Sequence, residues 1–198
     1  MNTIPNRQRA NRRAFVARLL AAVPDALVVT GLGSAAYDVF AAGDRDQNYY
    51  LWGAMGGAAP LGLGIALAQP DKSVVVITGD GEQLMGIGTL GTIAVKQPKN
   101  LTIVVLDNGH FGETGMQRSH SSLGTDLVAV AKGFGIKAAF ATGSLDMCDE
   151  IAAGIRGRDR TTFAQVFIEA DEPPRALPPR DGPYIKNRFR AALGLKPF

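Results

Sequence analysis

Four short, continuous apolar runs constrain this chain more than any other feature: residues 26–30, 73–78, 101–106 and 163–169. They are rich in β-branched residues and do not alternate apolar with polar. Such runs belong to strands buried on both faces, as in a parallel sheet with helices on either side. Residues 136–141 are a fifth candidate. Helical patterns fill the intervals at 34–42, 58–68, 84–96, 127–134 and 145–156, and an amphipathic pattern over 11–23 precedes the first run. The alternation predicts an α/β fold, a doubly wound, mostly parallel sheet with helices on both faces. A chain of 198 residues fits one domain. Its core is expected over about 10–170, followed by a C-terminal arm over 171–198. The Pro-rich stretch 173–183 reads as a surface-hugging tail or a subunit-spanning arm.

The net charge of +3 gathers near the ends, in Arg7, Arg9, Arg12, Arg13 and Arg18 and in Arg180, Lys186, Arg188 and Arg190. No aromatic residues interleave with them, so a nucleic-acid surface is not expected. A solvated face or a docking surface for an acidic partner fits better. The single cysteine, Cys148, excludes an internal disulfide and suits a reducing cytoplasm. Residues 51–68 carry no charge and are almost long enough to span a bilayer. Their glycines and Pro60 point instead to a helix packed tightly against a sheet or a ligand, and no membrane span is expected.

Ligands of doubly wound sheets bind outside the carboxyl ends of the strands. The loops expected there are Gly31-Leu-Gly-Ser34, Gly79-Asp-Gly-Glu82 and Asp107-Asn-Gly-His110. A helix and a strand separate Asp80 from Asn108, so the fold can return both side chains to one rim. A carboxylate and an amide oxygen suit Mg²⁺, a hard cation that prefers oxygen ligands and shares sites with phosphate. Gly79 and Gly81 free the backbone for close approach to a diphosphate, and the following helix would aim its amides at the anion. Two ordinary strand-to-helix turns would read the same way on spacing alone.

At these residues the sequence resembles the thiamine-diphosphate enzyme family, whose cofactor motif begins Gly-Asp-Gly and ends Asn-Asn after such an interval. The resemblance covers roughly 10–170 and matches the diphosphate-binding domain. It implies thiamine diphosphate and Mg²⁺ as cofactors, with Asp80 and Asn108 ligating the ion through side chains and His110 through its backbone carbonyl. Asp107 replaces the first Asn, which is not a ligand. Glu82 departs more sharply, because a carboxylate there would repel the diphosphate unless it swings away. Gly33, Ser34, Gly79, Gly81, Glu82 and Phe111 fall in cofactor-contacting places. Leu51-Trp-Gly-Ala-Met55 corresponds to the stretch that cradles the aminopyrimidine ring. Gly53 would accept from its exocyclic amine, and Met55 would wedge under the thiazolium, bending the cofactor so that the amine reaches the reacting carbon. Taken alone, Met55 reads rather as core filling, and the wedge is favoured only in register with the Gly79–Asn108 motif.

The run from Leu106 to His120 resembles sulfopyruvate decarboxylase β subunits and phosphonopyruvate decarboxylases. That likeness implies decarboxylation of a small 2-oxo acid, a 3-sulfo- or 3-phosphonopyruvate, to CO₂ and an aldehyde. His120 would move a proton, and Gln117 or Arg118 would meet the acidic tail of the substrate. No glutamate here fits the role of aminopyrimidine activator. The implied partner is therefore an α-type subunit with a pyrimidine-binding domain, around a homodimer core in a hetero-oligomer. Three other readings stand beside it. One is an acetolactate-synthase-like carboligase subunit, and another a non-catalytic scaffold subunit. The third is an NAD-binding Rossmann oxidoreductase, suggested by G-x-G-x-x-A at Gly31–Ala36. The acidic residue such a unit needs at the end of a second strand is lacking, because Asp44 and Asp46 sit in a polar stretch with no apolar run before them.

Overall fold

The computed structural model describes residues 8–196; Arg7 of the basic start and residues 197–198 of the arm lie outside them. Asn11 begins the first helix, α1 (Arg12–Ala22), its side chain accepting from the Ala14 amide at 3.0 Å. This satisfies one of the orphan donors that every helix start leaves. There follow β1 (Leu27–Thr30), α2 (Ser34–Ala41), β2 (Asn48–Tyr50), α3 (Ala58–Ala68), β3 (Val74–Gly79), α4 (Asp80–Met85) and α5 (Thr89–Lys96). Next come β4 (Leu101–Asp107), the two-residue strands β5 (His110–Phe111) and β6 (Gln117–Arg118), and α6 (Leu127–Phe134). The chain continues through β7 (Ala138–Thr142), α7 (Met147–Gly157) and β8 (Thr162–Phe167) to α8 (Gly182–Ala192).

The main sheet has six strands in the order β2-β1-β3-β4-β8-β7, and every pairing in it is parallel. The expected doubly wound architecture is therefore present. Side chains alternate between two cores: Val75 and Ile77 face one with Phe15, Leu19, Val39 and Ile151. Val74 and Val76 face the other with Leu63, Leu90, Ile93 and Leu127. Each strand is apolar throughout because both faces are covered. From β1 the chain winds first to β2 on one side and then to β3 on the other, so the switch point lies between β1 and β3. A doubly wound sheet opens its ligand crevice there.

Three features depart from the sequence reading. The helix expected over 84–96 is two helices, α4 and α5, broken at Gly86–Gly88. A Cβ on Gly86 would stand 2.3 Å from the Gly56 carbonyl oxygen, so the break lets two backbones touch. Strand β2 was hidden in a polar stretch, because Asn48, Tyr49 and Tyr50 form an edge strand stabilised by side-chain polar contacts. The Tyr50 hydroxyl donates to Asp44 at 2.8 Å, and Arg188 of α8 grips the same carboxylate at 2.5 and 3.0 Å. The β5–β6 pair had no periodicity to announce it.

No described helix is long and apolar enough to cross a membrane. The small residues of 51–68 serve packing, since a Cβ on Gly62 would come within 2.2 Å of Val76 Cγ2. The arm lies against its own chain. The Trp52 indole donates to the Pro179 carbonyl at 2.8 Å, Arg180 stacks 4.9 Å above the Trp52 ring, and Phe189 packs edge-on against Tyr49.

Cys148 is buried in α7, where burial pushes its thiol up to about 11. The thiolate is the reactive form. A disulfide reagent at pH 8 should leave the folded chain untouched and release one equivalent only after denaturant is added. Prompt reaction of the native protein would show that α7 opens locally.

Candidate functional site

The carboxyl ends of β1, β3 and β4 deliver three loops to one cleft of about 220 Å³. Its walls include Arg12, Ser34, Met55, Gly79, Asp80, Gly81, Glu82, Asn108, His110, Phe111 and Glu113. The sheet topology thus gathers most of the residues singled out from the sequence. Gly33 adjoins the cleft as the residue before Ser34, with φ +74°. Gly53 has φ +71° and open space where a side chain would be. Gln117, Arg118 and His120 are not among the wall residues. Gln117 is tied to Thr114, Arg118 bonds Ser122, and His120 is exposed.

Asp80 opens α4 and is only 2 % exposed. Its Oδ2 accepts from Ser119, and from Ser121 at 3.0 Å. Ser121 Oγ also lies 2.8 Å from Asp107 Oδ1, so its single proton is shared between two buried carboxylates. Asp107 is otherwise satisfied, by the Gly109 amide at 2.9 Å and Gln165 Nε2 at 2.6 Å. Burial, reinforced by the nearby Asp107 charge, pushes the Asp80 carboxyl up to about 6. Two buried carboxylates joined through one hydroxyl are a setting in which a divalent cation is stabilising. Among the described residues no three His, Cys, Asp or Glu side chains cluster as a metal site, so an ion here would need amide and carbonyl oxygens as well. Asn108 supplies both kinds. Its side-chain oxygen accepts from the His110 amide at 2.9 Å, and its carbonyl meets His110 Nδ1 at 2.8 Å.

Glu82 is turned away from the crevice floor. Oε2 accepts from Thr78 at 2.7 Å and occupies space beside Gly31, where a Cβ would fall 1.3 Å from it. Burial raises its pKa, while Thr78 and the backbone amides of Gly56, Ala58 and Leu32 act in the opposite sense. None of those amides is placed well enough to bond Oε1, which has no partner. The carboxylate that would repel an anion therefore faces inward, between the loops that follow β1 and β2.

A Cβ on Gly79 would meet nothing within 4 Å, whereas one on Gly81 would come 2.4 Å from the Phe111 ring. One glycine thus leaves free space and the other lets the β5 aromatic close down on α4. Met55 and Met85 stand at the mouth, 41 % and 64 % exposed. Three contributors were not legible as site residues. Ser119 and Ser121 come close to Asp80 only because the β5–β6 turn folds back, and Arg12 was counted among surface charges.

Comparison with known proteins agrees with this geometry. Residues 32–166 match the family model "Thiamine pyrophosphate enzyme, C-terminal TPP binding domain". A phosphonopyruvate decarboxylase of Streptomyces hygroscopicus is 40% identical over 190 residues, 95% of this chain and 47% of that protein. A sulfopyruvate decarboxylase subunit beta of Methanocaldococcus jannaschii is 42% identical over 110 residues, 56% of this chain and 58% of that one. A Mycobacterium smegmatis structure described as a thiamin diphosphate-dependent enzyme superposes with a TM-score of 0.69 at 26% identity, covering 86% of this chain and 36% of that one. The chain spans about half the length of the curated decarboxylases it matches. By motif, topology and family match alike, this chain belongs to the thiamine pyrophosphate enzyme family and carries its C-terminal TPP-binding fold.

Proposed function

We propose that this chain is the diphosphate- and metal-binding part of a 2-oxo acid decarboxylase that acts on a 3-sulfo- or 3-phosphonopyruvate-like substrate and releases CO₂ and an aldehyde. The observation that carries the reading is buried Asp80, joined to Asp107 through Ser121 at the carboxyl ends of β3 and β4 and lining, with Asn108, the cleft beside the switch point. The names of the relatives support the substrate class. Thiamine diphosphate, when bound, supplies the carbanion stabilisation that loss of CO₂ from a 2-oxo acid requires.

The residues of the chain bind and orient. Asp80, Asn108 and the His110 carbonyl would hold Mg²⁺. Gly33, Ser34, Gly79 and Gly81 would let backbone amides approach the diphosphate, with Phe111 as an apolar wall. Met55 would support the thiazolium, and Gly53 would accept from the aminopyrimidine. Glu82 would not touch the anion but would hold its loops. Gln117, Arg118 and His120, on the outer hairpin and beside it, are assigned to the substrate's approach: two to its acidic group and His120 to a proton. The exposed Met55 and Met85 at the mouth suit cover by a second polypeptide, an α-type subunit whose pyrimidine-binding domain supplies the activating Glu. A homodimer core within a hetero-oligomer is the expected assembly.

Reconstitution tests this reading. The chain, a candidate α-type subunit, thiamine diphosphate and Mg²⁺ should together release CO₂ from 3-sulfopyruvate or 3-phosphonopyruvate, and the chain alone should be far slower. A condensed hydroxyketone in place of the aldehyde would assign carboligation instead. Absence of turnover with any 2-oxo acid in an assembled complex that binds the cofactor would overturn the proposal.

A further inference from the structure

Arg12 is the feature of the cleft that the family resemblance does not account for. It is the first residue of α1, only 4 % exposed, and it lines the cleft that holds Asp80 and Asn108. It also lines the adjoining hollow, whose walls include Ser34, Tyr37 and Asn108 but also the carboxylates of Asp38, Glu113, Asp171 and Glu172. An anion would therefore be met on the Asn108 side rather than in that hollow. Its Nε donates to Asp38 Oδ2 at 2.7 Å, a carboxylate that is itself 1 % exposed. Neither terminal nitrogen has a hydrogen-bond partner among the described residues. Arg13 also leans on Asp38, at 3.5 Å, and its far end is taken by the Pro174 carbonyl.

The terminal nitrogens of Arg12 are not among the fully enclosed partnerless atoms, so they open on the cleft and can take an acceptor there. Asp38 fixes the group through one edge and leaves the other free, which is the arrangement for forked recognition of an oxyanion. The position decides which anion. Arg12 shares its walls with Ser34, at the start of the eight-residue helix α2, and with Asn108, a proposed metal ligand. Helix starts also favour anions. The substrate's acidic group would lie nearer the exposed mouth, where Met55 and Met85 stand.

We infer that Arg12 is a ligand of the outer phosphate of a bound diphosphate, held for that purpose by Asp38. The inference rests on the cofactor reading above and adds a residue to it. Asp38 is then a positioning residue whose charge keeps the guanidinium in one orientation.

Calorimetric titration of the full chain in the presence of Mg²⁺ tests this, with thiamine diphosphate, thiamine monophosphate and inorganic pyrophosphate as probes. Arg12→Gln leaves Asp38 buried with a weaker partner and could unfold the chain. The decisive comparison is therefore Arg12→Gln/Asp38→Asn, in which the pair is neutral, against Asp38→Asn alone, with melting curves to establish that both are folded. Losing a charged hydrogen-bond donor should weaken thiamine diphosphate and pyrophosphate binding by about 10- to 100-fold. The preference for diphosphate over monophosphate should shrink by a similar factor, a change that a purely structural role would not produce. Arg12→Lys should fall between the two. Equal diphosphate affinity in the double variant and in Asp38→Asn would overturn the inference. So would an effect confined to the KM for the 2-oxo acid, which would place Arg12 at the substrate instead. If wild type bound pyrophosphate in an Arg12-dependent way but not thiamine diphosphate, the anion site would stand and the cofactor reading would fall. Binding of neither probe would remove both.

Discussion

Replacing Asp80 by Ala should abolish Mg²⁺-dependent binding of thiamine diphosphate while leaving the fold intact. The side chain is buried, pushed up to about 6 by burial and by the neighbouring Asp107, and held by the hydroxyls of Ser119 and Ser121. It therefore contributes strain rather than stability when no cation offsets the two negative charges. Loss of the carboxylate removes that repulsion, and Ser119 and Ser121 can still bond one another at 2.9 Å. The melting temperature of the metal-free variant should stay within a few degrees of wild type. Binding should weaken by more than about 100-fold, because changes in groups merely supporting a metal ligand already cost roughly 10- to 100-fold. Asp80→Asn preserves the shape and removes the charge, and it should lose nearly as much. Calorimetry with and without Mg²⁺ measures both effects. Wild-type affinity in a folded Asp80→Ala variant would sink the metal–diphosphate clasp.

The second large effect concerns Gly31 and Glu82. A methyl group on Gly31 would fall 1.3 Å from Glu82 Oε2, closer than any contact allows. Gly31→Ala must therefore expel the carboxylate from between the loops. Overpacking typically costs about 1–3 kcal/mol, and the displaced carboxylate would swing toward the proposed diphosphate place. The variant should melt several degrees lower and bind thiamine diphosphate at least about 10-fold more weakly. Glu82→Ala removes the obstacle but leaves the Thr78 hydroxyl without its acceptor. In Gly31→Ala/Glu82→Ala the new methyl enters the vacated space, so the two losses should be markedly less than additive. Melting curves for the four proteins give the coupling directly. Additive losses would mean that Glu82 does not fill the space beside Gly31.

The sequence determined by itself whatever depends on local pattern. Runs such as Ser73–Thr78 must be buried on both faces, so the parallel sheet and its helical layers followed from them. The helical patterns over 11–23 and 127–134 likewise coincide with α1 and α6 to within a residue at each end. Gly79-Asp80-Gly81 and Asn108 were legible because strand ends and glycines are local signals, and the topology had only one rim on which to bring them together. Tertiary structure decided what depends on residues far apart in the chain. β2 pairs in parallel with β1, and Arg188, more than a hundred residues on, grips the Asp44 carboxylate that the Tyr50 hydroxyl also bonds. Gly86–Gly88 breaks a helix because another loop's backbone needs the space. The direction of Glu82 could not be read from composition, since the same carboxylate facing outward would repel the diphosphate; Thr78 and the room beside Gly31 turn it inward. Arg12 looked like surface charge, but Asp38, on a different helix, holds its Nε and leaves both terminal nitrogens without a protein partner among the described residues. Periodicity reports burial along one element, whereas the partner of a charge is fixed only when separate elements are packed together.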